Sequence, residues 1–291
     1  MSRILVVNPF ATGVTEERLA AVRAALPSAT VVRVTTRRGQ ATEIAREVSS
    51  TVDAVYVYGG DGTFNEVLNG IDGRTPVGFV PGGGTSVLPR ALGLPRDPVG
   101  AAQSVAAGVE RRISLGRVNG HRFGFGAGVG LDAEIVRAVD ALGRKPDGRR
   151  PGDVAFGWTG LKMLARHRFR LEPILEVKGH TRAALALVAN SSAYSYAWRF
   201  PLRLAPNATF EGGLDLVAPI RLGALSLPRV LTYAFTGGER TRPRGVVYVH
   251  DADRLEVLCD LPLPLQADGE DLGDVDEAVF EAERDAVCVL V

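Results

Sequence analysis

Cysteine is nearly absent: the 291 residues hold two, Cys259 and Cys288. Two are too few for a disulfide scaffold or an all-cysteine zinc site. Each reads instead as a small buried hydrophobe. Histidine is scarce as well. His121, His167, His180 and His250 stand far apart, with none of the spacings that build a metal cluster. Neither sign of charge is in excess: 34 Lys and Arg face 33 Asp and Glu, a net charge of +1. That excludes nucleic-acid binding driven by bulk positive charge. No run approaches the roughly 18 apolar residues of a membrane span. The apolar run from Ile4 to Val7 stops at Asn8-Pro9, too short for the core of a signal peptide and without a cleavage site. Internal repeats, low-complexity linkers and a GxSxG nucleophile elbow are all missing, so Ser-His-Asp hydrolysis has no basis. The expectation is a cytoplasmic chain with no nucleic-acid partner and no transmembrane segment.

What is present is ordinary globular composition, 46% hydrophobic and 23% charged. At about 150 residues per domain the length predicts two domains. The first third alternates between short apolar runs and helical periodicity. Ile4 to Val7, Val31 to Val34, Ala54 to Tyr58 and Val77 to Val80 read as strands. Thr15 to Leu26, Ala41 to Val48 and a segment opening at Thr63 read as helices, with Thr15 as an N-cap. Apolar strands separated by helices predict a doubly wound parallel sheet covered on both faces. After about Ser114 the pattern changes. Ala183 to Ala189, Leu214 to Val217, Gly245 to Val249, Leu255 to Cys259 and Ala286 to Val291 read as strands, and only Asp132 to Leu142 and Trp158 to His167 as helices. This predicts a β-rich second domain over 115–285, with 286–291 returning to the first domain, 1–114, as an added strand.

The most informative stretch is Tyr58-Gly59-Gly60-Asp61-Gly62-Thr63-Phe64-Asn65-Glu66-Val67-Leu68-Asn69-Gly70. It falls between a predicted strand and a predicted helix. Glycines there let backbone approach a phosphate, and the helix N-terminus offers unpaired N–H groups and a positive dipole end. A bare carboxylate at Asp61 repels phosphate, and a bound Mg²⁺ between them resolves the conflict. The plainer reading is a tight strand-to-helix turn with Asp61 or Thr63 as its cap. The run is neither a Walker A loop nor a GxGxxG fingerprint.

It resembles the Gly-Gly-Asp-Gly-Thr signature of the diacylglycerol kinase/sphingosine kinase catalytic domain, and its continuation resembles the soluble bacterial lipid kinases. Further matches follow in order along the chain: Asn8-Pro9 with Gly13, Thr35 with Gly39 and Ala41, Pro81-Gly82-Gly83, Arg90 to Pro95, Gly128 to Ala133, Ala205 to Ala208, Glu211 to Asp215, and Ala267-Asp268-Gly269-Glu270. The resemblance implies an N-terminal domain like those of phosphofructokinase and NAD kinase, a C-terminal β-sandwich domain, and an active site in the cleft between them. It implies nucleotide contacts from Asn8, Thr35, Gly59, Gly60, Asp61, Gly62, Thr63, Asn65, Gly83, Gly84 and Thr85. Asp61 would position a catalytic Mg²⁺ and the triphosphate of ATP, and Glu270 would be the general base on a lipid hydroxyl. Glu211, with backbone oxygens at Ala208 and Gly213, would hold a structural Mg²⁺. A lipid acceptor implies transient contact with a membrane surface; a homodimer is left open.

The departures fall in the second glycine loop and the metal segment. Where the family reads Gly-Thr-x-Asn-Asp-Phe, this chain reads Gly83-Gly84-Thr85-Ser86-Val87-Leu88, and Glu211 stands for the usual Asp. The cluster Tyr194-Ser195-Tyr196-Ala197-Trp198 replaces family glycines and reads either as a lipid entrance or as packing. Arg166 to Arg170, with Lys162, Arg144, Lys145, Arg149 and Arg150, makes the middle of the chain basic: a solvated face or a docking surface for anionic lipid. Three alternatives remain. A NAD kinase shares Gly-Gly-Asp-Gly but not the Asn-Glu-Val-Leu-Asn-Gly continuation. A non-catalytic nucleotide or lipid binder would not need Glu270. A kinase with a different acceptor would have the same motifs.

Overall fold

The computed structural model describes residues 2–143, 153–197, 200–224, 227–236 and 245–291. The arginines and lysine at 144–150 and Trp198 therefore lie outside the described residues. The described chain divides into two compact units: residues to Leu115 together with Arg284–Val291, and Gly116 to Glu283.

In chain order the first unit holds β1 (Arg3–Val7), α1 (Glu16–Ala25), β2 (Thr30–Val34), α2 (Gln40–Val48), β3 (Ala54–Gly59), α3 (Asp61–Leu68), β4 (Val77–Pro81), α4 (Val87–Ala91), α5 (Pro98–Ala107) and most of β5 (Glu110–Val118). β1 lies between β2 and β3, and β4 follows β3, all parallel. β3 and β4 are buried along their whole lengths, as strands covered by helices on both faces must be. Thr15 caps α1: its side chain accepts the Arg18 N–H. Pro98 starts α5 after the Asp97 cap, where its missing N–H costs nothing. Sequence periodicity missed α5 because four of its ten residues are alanine, leaving little apolar contrast between faces. α3 begins at Asp61 rather than Thr63, capped by Gly60.

The second unit holds β6 (His121–Phe123), β7 (Gly126–Val129), α6 (Leu131–Ala141), α7 (Asp153–Arg166), β8 (Arg170–Leu171), β9 (Leu175–Val177), β10 (Arg182–Ala183), β11 (Ala186–Ala189), β12 (Ser195–Ala197), β13 (Phe200–Leu202), β14 (Leu214–Pro219), β15 (Leu222–Gly223), α8 (Leu227–Thr236), β16 (Val246–Ala252), β17 (Arg254–Ala267) and most of β18 (Glu270–Leu290). Its main sheet runs β16-β14-β11-β7-β17-β18, antiparallel at every step. The core gathers Phe123, Val129, Leu175, Val188, Leu216, Val257 and Phe280. The single strand expected over Ala183 to Ala189 is two: Ala184 and Leu185 leave the ladder to pack against Leu131 and Leu222.

The two strands expected at Leu255 and Ala286 are the ends of one long hairpin, β17–β18. Its register shifts between Leu258 and Leu263 and again between Pro264 and Gln266, around Pro262 and Pro264, which cannot donate to a ladder. The last residues of β18 lie with the first unit, where Val289 and Leu290 pair in parallel with Val77 and Gly78 of β4. Both cysteines are free thiols; Cys288 is buried and Cys259 half-buried.

Candidate active site

In the first unit three glycine segments meet where β1, β3 and β4 end. The Gly13 N–H donates to the Gly82 carbonyl at 2.7 Å, and the Gly82 N–H to the Gly59 carbonyl at 2.6 Å. The Tyr58 hydroxyl donates to the Gly13 carbonyl at 3.2 Å. Side chains would block this strapping. A Cβ on Gly82 would lie 2.8 Å from a Val14 methyl, one on Gly83 2.9 Å from the Gly60 Cα, and one on Gly59 2.8 Å from Thr63. Chain crossings this close leave no room for a side chain at these three positions. The position is the one where open α/β sheets bind ligands, beyond the carboxyl ends of the strands, and it opens onto the N-terminus of α3.

Asn8 ties the first segment to the helix. Its Nδ2 donates to Thr63 Oγ1 at 2.8 Å, and its Oδ1 accepts the Phe10 N–H at 3.0 Å. Asp61 opens α3, and one of its oxygens accepts the Leu88 N–H at 3.3 Å. Thr35 is buried, its hydroxyl donating to the Val7 carbonyl at 3.3 Å. Beyond Gly83 in the second loop, Gly84 is exposed and Thr85 half-buried. Ser86 has φ +49°, the left-handed region, and its buried hydroxyl finds no hydrogen-bond partner. Val87, at the family's Asp position, is buried at 4% exposure and begins α4. No carboxylate comes from there. The residues present suit a phosphate group: glycine backbone, a helix N-terminus and a single carboxylate at its first turn.

The continuation after Thr63 has a structural job that sequence reading missed. Both Glu66 oxygens cap the neighbouring helix α2, accepting from the Gly39 and Ala41 N–H groups at 2.9 and 3.0 Å. A carboxylate there also meets the dipole of α2. Gly70 stays bare because a Cβ would come 2.3 Å from the Thr42 carbonyl. The Asn-Glu-Val-Leu-Asn-Gly run thus locks α2 to α3, and α3 is the helix whose start faces the glycine cradle.

In the second unit the acidic turn closes the β17–β18 hairpin. Asp268 and Gly269 both have positive φ, +49° and +78°, which a two-residue hairpin turn of this hand requires. The buried Asp268 carboxylate accepts three backbone N–H groups, from Gly124 at 2.6 Å, Phe125 at 3.0 Å and Gly126 at 3.2 Å. Glu270 is half-buried at the first position of β18.

Tyr194 packs inward. A Cβ on Gly126 would lie 2.7 Å from its ring, and its hydroxyl donates to Asp132 at 2.7 Å. Burial raises both the Asp132 carboxyl and the Tyr194 phenol above their usual ranges. Glu211 is exposed in the turn before β14, Ala208 is buried, and the Gly213 N–H donates to Asp251 at 2.6 Å. Among the described residues no three acidic, His or Cys side chains gather as a metal cluster. The buried Asp215 of β14 is hydrogen-bonded by Tyr248 at 2.5 Å and His250 at 2.8 Å. In the basic segment Arg170 pairs with Glu172. Among the described residues no helix is long and apolar enough to cross a membrane.

The chain thus joins a parallel α/β unit with a glycine cradle to an antiparallel unit whose long hairpin closes on an acidic turn. Comparison with known proteins makes this specific. Residues 2–118 match the diacylglycerol kinase catalytic domain, and residues 126–291 match the YegS C-terminal NAD kinase beta sandwich-like domain. The chain belongs to the diacylglycerol kinase catalytic-domain family, phosphotransferases whose acceptor is an alcohol group. It is 32% identical over 247 residues to a diacylglycerol kinase of Bacillus subtilis, covering 83% of this chain and 79% of that protein. A crystal structure of a diacylglycerol kinase from Bacillus anthracis shares the fold, with a TM-score of 0.72 at 20% identity over 99% of this chain and 96% of that one. An NAD kinase from Archaeoglobus fulgidus, solved with ATP, is more distant: TM-score 0.51 at 14% identity, over 99% and 93% of the two chains.

Proposed function

We propose that this chain transfers the γ-phosphoryl group of ATP to the hydroxyl of a diacylglycerol-like lipid. The observation that carries the reading is the strapped cradle of Gly13, Gly59 and Gly82 in front of α3. In this reading the backbone of Gly59, Gly60, Gly62, Gly83 and Gly84 takes the phosphates. Asn8, Thr35, Thr63, Asn65 and Thr85 line the rest of the nucleotide site, and Asp61 is the carboxylate for Mg²⁺. Bound Mg²⁺ supplies neutralisation of the charge on the transferring group. Asn8 keeps the Thr63 hydroxyl oriented, and the α3 N-terminus attracts the anionic phosphates. Glu270 accepts the proton of the attacking hydroxyl, a role that requires a carboxylate within hydrogen-bond reach. Glu211, with the Ala208 and Gly213 carbonyls, is the candidate for a second, structural Mg²⁺.

The lipid acceptor implies docking at a bilayer, and α7 offers a surface for it. Trp158 and Leu161 are exposed on one face at 58% and 44%. Lys162 lies 5.5 Å from the Trp158 ring, and Arg166 is one turn further on. An apolar stripe edged by cations fits an anionic membrane interface.

The test is phosphoryl transfer from γ-labelled ATP to diacylglycerol in detergent micelles, with Glu270→Gln alongside. The expected result is an organic-phase product from the wild type, reduced about 10²- to 10⁴-fold by the substitution. The buried Val87 and the altered Ser86 favour one other reading, a binder that no longer turns over. Calorimetric ATP binding without product from any lipid would establish that reading instead.

A further inference from the structure

One helix anchors the residues on both sides of Glu270. In the first turn of α6, Asp132 Oδ2 accepts from the Tyr194 hydroxyl and from Gln266 Nε2, each at 2.7 Å. Gln266 Nε2 also donates to the Tyr194 oxygen at 2.8 Å. With its nitrogen turned toward a carboxylate, the amide presents its oxygen the other way. That oxygen accepts the Gly269 N–H at 2.9 Å. Five residues further along α6, Arg137 gives Nε and Nη2 to Asp271 at 2.8 and 3.0 Å. Its Nη1 reaches Asp274 at 2.7 Å. Gly269 and Asp271 are the chain neighbours of Glu270.

The first anchor is built into the sheet. A Cβ on Gly128 would fall 2.3 Å from Asp132 Oδ2 and 3.0 Å from the Tyr194 hydroxyl. Together with Gly126, this bare position makes the slot that the network fills. Gln266 is only 3% exposed, so an unmade bond there is costly. The second anchor is a planar fork on a carboxylate, the geometry that fixes direction as well as distance.

We propose that α6 is the positioning element for Glu270, with Asp132 acting through Gln266 on Gly269 and Arg137 acting on Asp271. The inference rests on Glu270 as the base and deepens that reading. Asp268 holds the turn to the β6–β7 segment, but it fixes only the near side. The Gln266 oxygen fixes the peptide before Gly269, and the Arg137 fork fixes the side chain after Glu270. Between these two points the backbone at Glu270 has little freedom. A base must lie about 2.6–3.2 Å from its proton, and a displacement of about 1 Å can cost about 10²-fold in rate.

The experiment compares Asp132→Leu, Gln266→Met and Asp132→Asn with Glu270→Gln in the full chain. Leu removes the acceptor and keeps water out. Asn keeps an amide oxygen that can accept from both donors. For Asp132→Leu and Gln266→Met, kcat is expected to fall about 10²-fold, with KM for ATP within about twofold. Asp132→Asn is expected to recover most of that loss. Hydrogen exchange at the Gly269 amide, which needs no turnover, is expected to quicken in Leu and Met but not in Asn. A loss of folded packing alone would not separate kcat from KM in this way. Full kcat in Asp132→Leu beside an inactive Glu270→Gln would overturn the positioning role. So would equal impairment of Asn and Leu, or Gly269 exchange unmoved in Leu. An active Glu270→Gln would instead remove the base assignment, and Gly269 exchange would still decide whether the Gln266 anchor holds the turn.

Discussion

Asp268 is the point where removal of one side chain should do the most damage to the second unit. Its carboxylate is 4% exposed and accepts three backbone N–H groups at 2.6, 3.0 and 3.2 Å. Hydrogen bonds to a charged acceptor are each worth about 1.5–3 kcal/mol, and a stranded buried donor costs about as much. Asp268→Ala strands all three and also places alanine at a positive φ, a further cost of about 1–2 kcal/mol. The expected loss is about 5 kcal/mol or more. Asp268→Asn is milder. Asparagine tolerates the left-handed region, and its oxygen can keep the Phe125 and Gly126 bonds, both of which use Oδ1. Its amide nitrogen would then face the Gly124 N–H, donor against donor, at a cost of about 2–3 kcal/mol. At about 2–4 °C per kcal/mol for a unit of this size, the two variants should melt about 10–20 °C and about 4–12 °C below the wild type. Thermal and urea unfolding followed by circular dichroism would read both. A loss below about 1 kcal/mol for Asp268→Ala, or equal losses for the pair, would refute the argument that these three bonds hold the turn.

Three further outcomes follow from the same coordinates. Ser86→Gly should stabilise the first unit by about 1 kcal/mol: it removes a left-handed strain and an unpartnered buried hydroxyl, less the added chain entropy of glycine. An unchanged or lower urea midpoint would count against it. Burial and the nearby carboxylates push both thiols up to about 11. A raised thiol pKa means less thiolate at any given pH, about one part in 10³ at pH 8. Reaction with Ellman's reagent in native buffer should therefore be slow, rising about tenfold per pH unit, and fast only in denaturant. Trp158→Ala with Leu161→Ala, or Lys162→Glu with Arg166→Glu, should weaken sedimentation with phosphatidylglycerol vesicles several-fold, the charge variants also flattening the salt dependence. Equal sedimentation of all variants would remove α7 as the docking face.

Much of this was legible in the residues, and the gaps have physical causes. The parallel strands of the first unit stand out because covering on both faces makes them continuous apolar runs, Leu5 to Val7 and Val55 to Tyr58 among them. The Gly59 to Thr63 motif marks itself by its glycines, and at Gly59 a Cβ would lie 2.8 Å from the Thr63 side chain. The length of β17 and β18 was hidden. Pro262 and Pro264 interrupt the middle of β17, and Asp274, Asp276 and Glu277 face solvent in the middle of β18, so a strand pattern survives only at the ends. The Asp132–Tyr194–Gln266 network was hidden too. Its members lie up to 134 positions apart, and no spacing rule links a helix N-terminus to a residue so far along the chain. Glu66 looked like a motif residue, and only its two bonds to α2 show why that position is a glutamate.

The C-terminal end of β18 has a consequence for how the molecule is made. Val77 of β4 finds its partner in Val289, more than two hundred residues later on the ribosome. At about 5–20 residues per second, roughly ten to forty seconds of synthesis separate the two. Throughout that interval β4 is an open sheet edge, apolar on both faces, the kind of surface that recruits other chains. Of the two units, the α/β one starts to be translated ahead of the other and is sealed after it. Chaperone dependence during expression should track the time taken to translate the intervening β-rich sequence.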